Sequence, residues 1–203
     1  RNPCQPQQVI LLDEGTWTQA AAFTATDMAG NSGDFKLYVL EDRYSWAFDS
    51  AAEVRDGSEV TTFESFLTRQ EFFQRFCGSD HVIGLGAASF EGDTTYNNNL
   101  AKRRSETVAR ELGEVSAQCQ TQAQPRLHTL NLGEYGRAAS ASASPLETAP
   151  QRRVVIIAAD RADPGLNLAQ AVRNGMTERD ANGQRIFREF DVESYRLFDL
   201  ASF

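Results

Sequence analysis

The chain has 203 residues, enough for one domain with extensions or two small ones, and its 41% hydrophobic and 24% charged content is that of an ordinary globular protein. No run of about eighteen apolar residues is present to cross a bilayer as a helix. A formal net charge of -8, with the 20 basic residues scattered along the chain, argues against nucleic acid as a partner but leaves room for a local site for a small anion.

In chain order, QQVILL (residues 7–12) reads as a short strand. TWTQAAAFTATDMAG reads either as a weak helix ending at Gly30 or as an extended piece, and NSGD (residues 31–34) is a turn signal. FKLYVL (residues 35–40) and YSWAF (residues 44–48) carry the alternation and β-branched or aromatic content of strands. VTTFESFLTRQEFFQRF (residues 60–76) then places Phe63, Phe66, Leu67, Phe73 and Phe76 at helical spacing, which predicts one helix whose aromatic stripe is core, closed by Gly78.

HVIGLG (residues 81–86) is a short buried strand, and NLAKRRSETVARELGEV (residues 99–115) a second helix with Leu100, Val108, Leu112 and Val115 along one side. RLHTLNLGEY (residues 126–135) is a strand, ASASASP (residues 139–145) a low-complexity loop, and RRVVIIAAD (residues 152–160) a continuous apolar run of the kind found in buried strands. LNLAQAVRNGM (residues 166–176) is a short helix. The final stretch, residues 185–200, holds Ile186, Phe187, Phe190, Val192, Tyr195, Leu197, Phe198 and Leu200, too many large apolar groups to stand in water, so it packs on the domain or on a partner.

Strands alternating with helices imply parallel pairing through right-handed crossovers, with the first two helices side by side on one face of the sheet. Cys77 and Cys119, each at the exit of one of those helices, are then within reach of a disulfide that leaves Cys4 odd; in a reducing compartment all three are inert thiols. His81 and His128 alone do not complete a metal site with these cysteines, so no metal or other cofactor is expected. Catalysis has little to rest on: there is no nucleophile elbow, no phosphate-binding loop, and the Gly84-Leu85-Gly86 echo of a dinucleotide fingerprint lacks its third glycine.

The segment from Gly86 to Val108 carries a resemblance. Phe48-Asp49, then Gly86-Ala87-Ala88-Ser89 with Gly92, then Asn97, Leu100, Arg104 and Val108 follow in the order and spacing of the OmpA-like C-terminal domain family, with Glu134-Tyr135-Gly136 at its later turn and Gln151-Arg152-Arg153-Val154 at its last strand start. The family's loop reads G-H-T-D-x-x-G. The resemblance covers residues 44–160 and implies an α+β, two-layer sandwich of βαβαβ plus a further strand, a mixed sheet with helices on one face. Residues 1–43 then form an N-terminal extension and 161–203 a C-terminal one.

The resemblance further implies a non-catalytic periplasmic protein of the Gram-negative envelope that binds the diaminopimelate of the peptidoglycan stem peptide and tethers an envelope component to the wall. Any export signal is then already removed or outside this sequence. In the family an aspartate in the loop and an arginine in the helix grip the ends of that zwitterion, as a carboxylate suits an ammonium and a guanidinium forks onto a carboxylate. Arg104 falls on that arginine and Asn97 on the family's asparagine, while Ser89 stands where the aspartate is expected. Loss of that charge removes about 1.5 to 3 kcal/mol unless Glu91 or Asp93 replaces it. The alternative is a degenerate module of the same fold, docking envelope proteins through its tail without binding the wall. Arg103 is expected to face solvent, and Arg152 and Arg153 to anchor the last strand.

Overall fold

A computed structural model describes residues 10–12, 16–120, 123–136, 144–188 and 190–203. Its elements are β1 (Ile10–Leu12), β2 (Trp17–Thr26), β3 (Ser32–Leu40), β4 (Tyr44–Trp46), β5 (Glu53–Asp56), β6 (Glu59–Thr62), α1 (Glu64–Thr68) with a 3-10 helix over Arg69–Phe76, β7 (His81–Ala88), α2 (Thr94–Ser116), β8 (Arg126–Glu134), β9 (Val155–Ala162), α3 (Leu168–Thr177) and β10 (Asp199–Ser202). Seven strands form one sheet in the order β1-β2-β3-β9-β7-β8-β10, and β4, β5 and β6 make a small separate one. Among the described residues only β7 and β8 run parallel, joined by the α2 crossover; the other pairs in the large sheet are antiparallel. The α+β class and mixed sheet are therefore as the sequence implies.

The apolar run of β9 explains where the core sits. Val155, Ile157 and Ala159 point to one face with Phe35, Leu37 and Val39 of β3, while Val154, Ile156 and Ala158 point to the other with Tyr38 and Leu40. A strand that feeds two cores has no polar face, which is why its sequence does not alternate. On the second face lie Phe63, Phe66, Leu67, Phe72, Phe73 and Phe76 together with Val108, Leu112 and Val115 of α2. The disulfide between Cys77 and Cys119, with Cα atoms 5.6 Å apart, ties the exits of these helical segments together.

Several details differ from the sequence expectation. Helices are not confined to one face: α3 covers the opposite one, packing Leu168, Ala171, Val172 and Met176 against Phe23 and Phe35. The stretch 60–76 is not one helix. Val60-Thr61-Thr62 ends β6, as β-branched residues prefer, and the α-helical run stops at Arg69, followed by 3-10 turns in which Glu71 takes φ of 54°. Tyr44–Trp46 pairs with β5 rather than with the main sheet, and Trp17–Thr26, left open between helix and strand, is a strand paired along the whole of β3. One sheet thus crosses both expected divisions, at 43/44 and 160/161. Residues 7–9 of the expected first strand, residues 139–143 of the low-complexity loop and Cys4 lie outside the described residues.

What positions the site is the contact between β7 and α2. A Cβ on Gly86 would stand 1.8 Å from the Ala101 carbonyl oxygen, and one on Gly84 would stand 2.8 Å from the Ala109 nitrogen. Two bare backbones therefore meet, and α2 lies closer to β7 than side chains would permit.

Candidate functional site

β7 ends at Ala88, and Ser89–Gly92 turns the chain into α2. Asp93 caps the helix: its carboxylate accepts the Tyr96 backbone N–H at 2.8 Å and sits at the positive end of the dipole. Gly92, at φ of 92°, supplies the left-handed turn just before it. Asn97 lies one turn in, 5% exposed, and its amide donates to the Glu91 carbonyl at 2.7 Å and to Glu134 Oε2 at 2.8 Å. It staples the loop to the end of β8.

Arg104 is completely buried. Its Nε donates to the Ser50 carbonyl at 2.8 Å, Nη1 to Ala87 at 2.9 Å and Nη2 to Ala47 at 3.1 Å, with the guanidinium 5.8 Å from the Trp46 ring centroid. No carboxylate among the described residues lies within ion-pair distance of it. Burial, then the nearby Arg152, push it down to about 9, against the pull of Asp49 in the opposite direction. At neutral pH it is a charged group in the interior, compensated by carbonyl dipoles and by no facing anion.

Ser89, 4% exposed, accepts from Arg152 Nη1 at 3.2 Å. Arg152 is itself buried and donates also to Thr148 Oγ1 at 2.9 Å and to the Trp46 and Pro145 carbonyls, so it lies directly beneath the loop. Burial lowers its pKa, while the Glu91 carboxylate acts to raise it. Glu91 Oε1 accepts from the Thr148 hydroxyl, and its Oε2 is buried without a hydrogen-bond partner among the described residues. Arg153 instead bonds the Leu40 carbonyl and pairs with Asp42, anchoring the strand entry.

The fold therefore gathers Ser89, Glu91, Asp93, Asn97 and Arg104 around one strand-to-helix turn. It adds groups that sequence reasoning gave no part in the site: Glu134, Thr148, Tyr96 and Asp49, with Arg152 brought in beside them. Glu134, 3% exposed, collects Thr94 Oγ1, Asn97 and Arg196 of the C-terminal stretch. Asp49, beside the matched Phe48, accepts from the Tyr96 hydroxyl. Asp49, Glu134 and Arg152 left a trace in the sequence as members of the matched motifs, whereas Thr148 and Tyr96 left none. Among the described residues no group of three His, Cys, Asp or Glu side chains is placed to hold a metal ion, and no helix is long and apolar enough to cross a membrane.

No protein-family model matches the chain, and no curated protein does. Among solved structures it is similar to the cell wall anchor of the T6SS from Pseudomonas aeruginosa, at 22% identity and a TM-score of 0.39, over 69% of this chain and 88% of that one. It is similar to the OmpA-like domain of FopA1 from Francisella tularensis subsp. tularensis SCHU S4, at 12% identity and 0.34, over 78% and 94%. It is also similar to the periplasmic domain of MotB, at 15% identity and 0.34, over 70% and 76%. One of these three neighbours is described as an OmpA-like domain, and likenesses at these scores carry no residue role across.

Proposed function

We propose that this chain is a non-catalytic domain of the bacterial cell envelope that binds the peptidoglycan stem peptide, through the diaminopimelate head, at the turn between β7 and α2. The observation that carries the reading is the buried guanidinium of Arg104 beneath that turn, bonded to carbonyls and paired with no carboxylate among the described residues, and reinforced by Arg152: together they make a fixed positive field suited to a carboxylate in an otherwise acidic protein. Asn97 and Ser89 hold the walls of the turn, and Glu91 and Asp93 add negative charge at its rim. The α2 N-terminus adds a favourable dipole for an anion. Placement in the periplasm and tethering of an envelope component belong to the same proposal; the cell wall anchor among its structural neighbours is in keeping with it.

Co-sedimentation with purified peptidoglycan sacculi, competed by free meso-diaminopimelate, tests this. Retention of the wild-type chain that the free amino acid competes away is expected. Absence of retention would sink wall binding and leave the second reading, a module of this fold that docks proteins. One observation favours that second reading: Arg104, Ser89, Asp93 and Asn97 are all engaged within the chain.

A further inference from the structure

The residues at the base of the turn cannot themselves reach a ligand. Arg104 is fully buried, and Ser89 and Asn97 are 4% and 5% exposed, covered by the Ala47–Ser50 turn and the loop after β7. The groups standing immediately outside them are different ones. Phe48 is 50% exposed, Tyr96 is 47% exposed, and Asp49 and Arg103 are exposed.

Asp49 occupies a left-handed backbone conformation, φ of 60°, in a turn closed by the Ser50 N–H donating to the Ala47 carbonyl at 3.1 Å. Aspartate tolerates that region better than most residues, yet it still costs free energy and persists where the surroundings enforce it. Here the enforcement is visible: Arg104 donates to the carbonyls at both ends of the turn, Ala47 and Ser50. The carboxylate is thereby fixed at the tip. The Tyr96 hydroxyl bonds its Oδ1, while Oδ2 has no hydrogen bond among the described residues.

Arg103 lies two helical turns beyond Tyr96 on the same face of α2, with its guanidinium 5.8 Å from the same ring centroid. It forms no ion pair among the described residues, and it does not pair with Asp49. An exposed acid and an exposed base are thus held at one tyrosine ring without neutralising each other. A ligand bearing both charges on one carbon has an ammonium for Asp49 and a carboxylate for the Arg103 fork, with its aliphatic part left to the exposed rings of Phe48 and Tyr96.

We propose that Asp49, Tyr96 and Arg103 form the surface that touches an amino-acid zwitterion, and that Asp49 supplies the negative pole absent at Ser89. This rests on the wall-binding reading and names the contact groups for it. Arg104 is then a positioning residue, shaping the Ala47–Ser50 turn from below.

The test compares wild type, Asp49→Asn and Arg103→Gln in sacculi co-sedimentation and in calorimetric titration with meso-diaminopimelate, with pimelate as the probe that lacks ammonium groups. Asparagine keeps the tolerance of the left-handed region and an acceptor for Tyr96, so only the charge is removed. Each variant is expected to bind meso-diaminopimelate roughly 10- to 100-fold more weakly, the loss of one charge-assisted hydrogen bond, with an unchanged melting temperature. Asp49→Asn alone is expected to bind pimelate as wild type does. If wild type is retained on sacculi and both variants bind as well as it does, this assignment is overturned and wall binding stands. If wild type is not retained, both readings fail together.

Discussion

Arg104 illustrates how a side chain's charge and its contacts part company. Its three hydrogen bonds all go to backbone carbonyls, joining the end of β7 to the 47–50 turn, so its removal strands buried acceptors. Arg104→Met, similar in length but without donors, is expected to lose about 3 kcal/mol or more of stability, read as a shifted urea midpoint with unchanged slope. At the other end of the sheet, His81 Nδ1 and His128 Nε2 face each other at 2.8 Å. Burial, then His81 and Arg126, push His128 down to about 4, and burial lowers His81 as well. The unfolded imidazole takes its proton near 6.5 and the folded one only near 4. Stability from this pair is therefore complete above pH 6.5 and falls as pH drops toward 4. Thermal melts from pH 7 to 4.5 should show that decline, and His128→Gln should flatten it. Neither effect is legible in the sequence: isolated histidines 47 positions apart meet only because His81 and His128 lie on paired strands.

At the scale of elements, the strand-turn-helix unit from Gly86 to Val108 could be read directly. Short-range spacing fixes it: small residues and glycines at the strand exit, then apolar positions at helical period from residue 99, although the helix begins earlier, at Thr94 behind an Asp93 cap. The aromatic stretch 60–76 could not, because the period of its phenylalanines is the same whether they sit on one helix or on a strand, a short helix and 3-10 turns that bury the same groups. The disulfide closes a loop of 42 residues around β7 and α2. Closing a loop of that size constrains the unfolded chain by about 4 kcal/mol. Reduction with dithiothreitol is accordingly expected to lower the melting temperature by roughly 10 °C while leaving far-UV dichroism intact at 25 °C.

At the scale of the whole molecule, the last forty residues are structural. Leu168, Ala171, Val172 and Met176 of α3, with Phe187, Phe190 and Val192, complete the core on one face, and β10 pairs along β8. Burying each large side chain stabilises by about 1.5 to 3 kcal/mol, so their combined loss exceeds the margin of a domain of this size. Deletion of residues 165–203 is expected to give an expanded species that binds a hydrophobic dye and has lost its near-UV dichroism. An intact, cooperatively melting truncation would mean that this face is covered some other way.

The sequence by itself determined the buried strands, α2 from residue 99 onward and the clustering of candidate residues at one turn, since each depends on periodicity and spacing within about twenty residues, while the α+β class followed from the family resemblance. Only the tertiary structure decided that β2 and β3 extend the sheet, that α3 closes its second face, and that Arg104 is buried while Asp49 stands outside it beside Arg103, whose exposure the sequence implied. Those outcomes depend on pairings between distant segments, such as β3 with β9 and Arg104 with the 47–50 turn, and local residue pattern carries no information about which distant partner a strand edge or a guanidinium will meet.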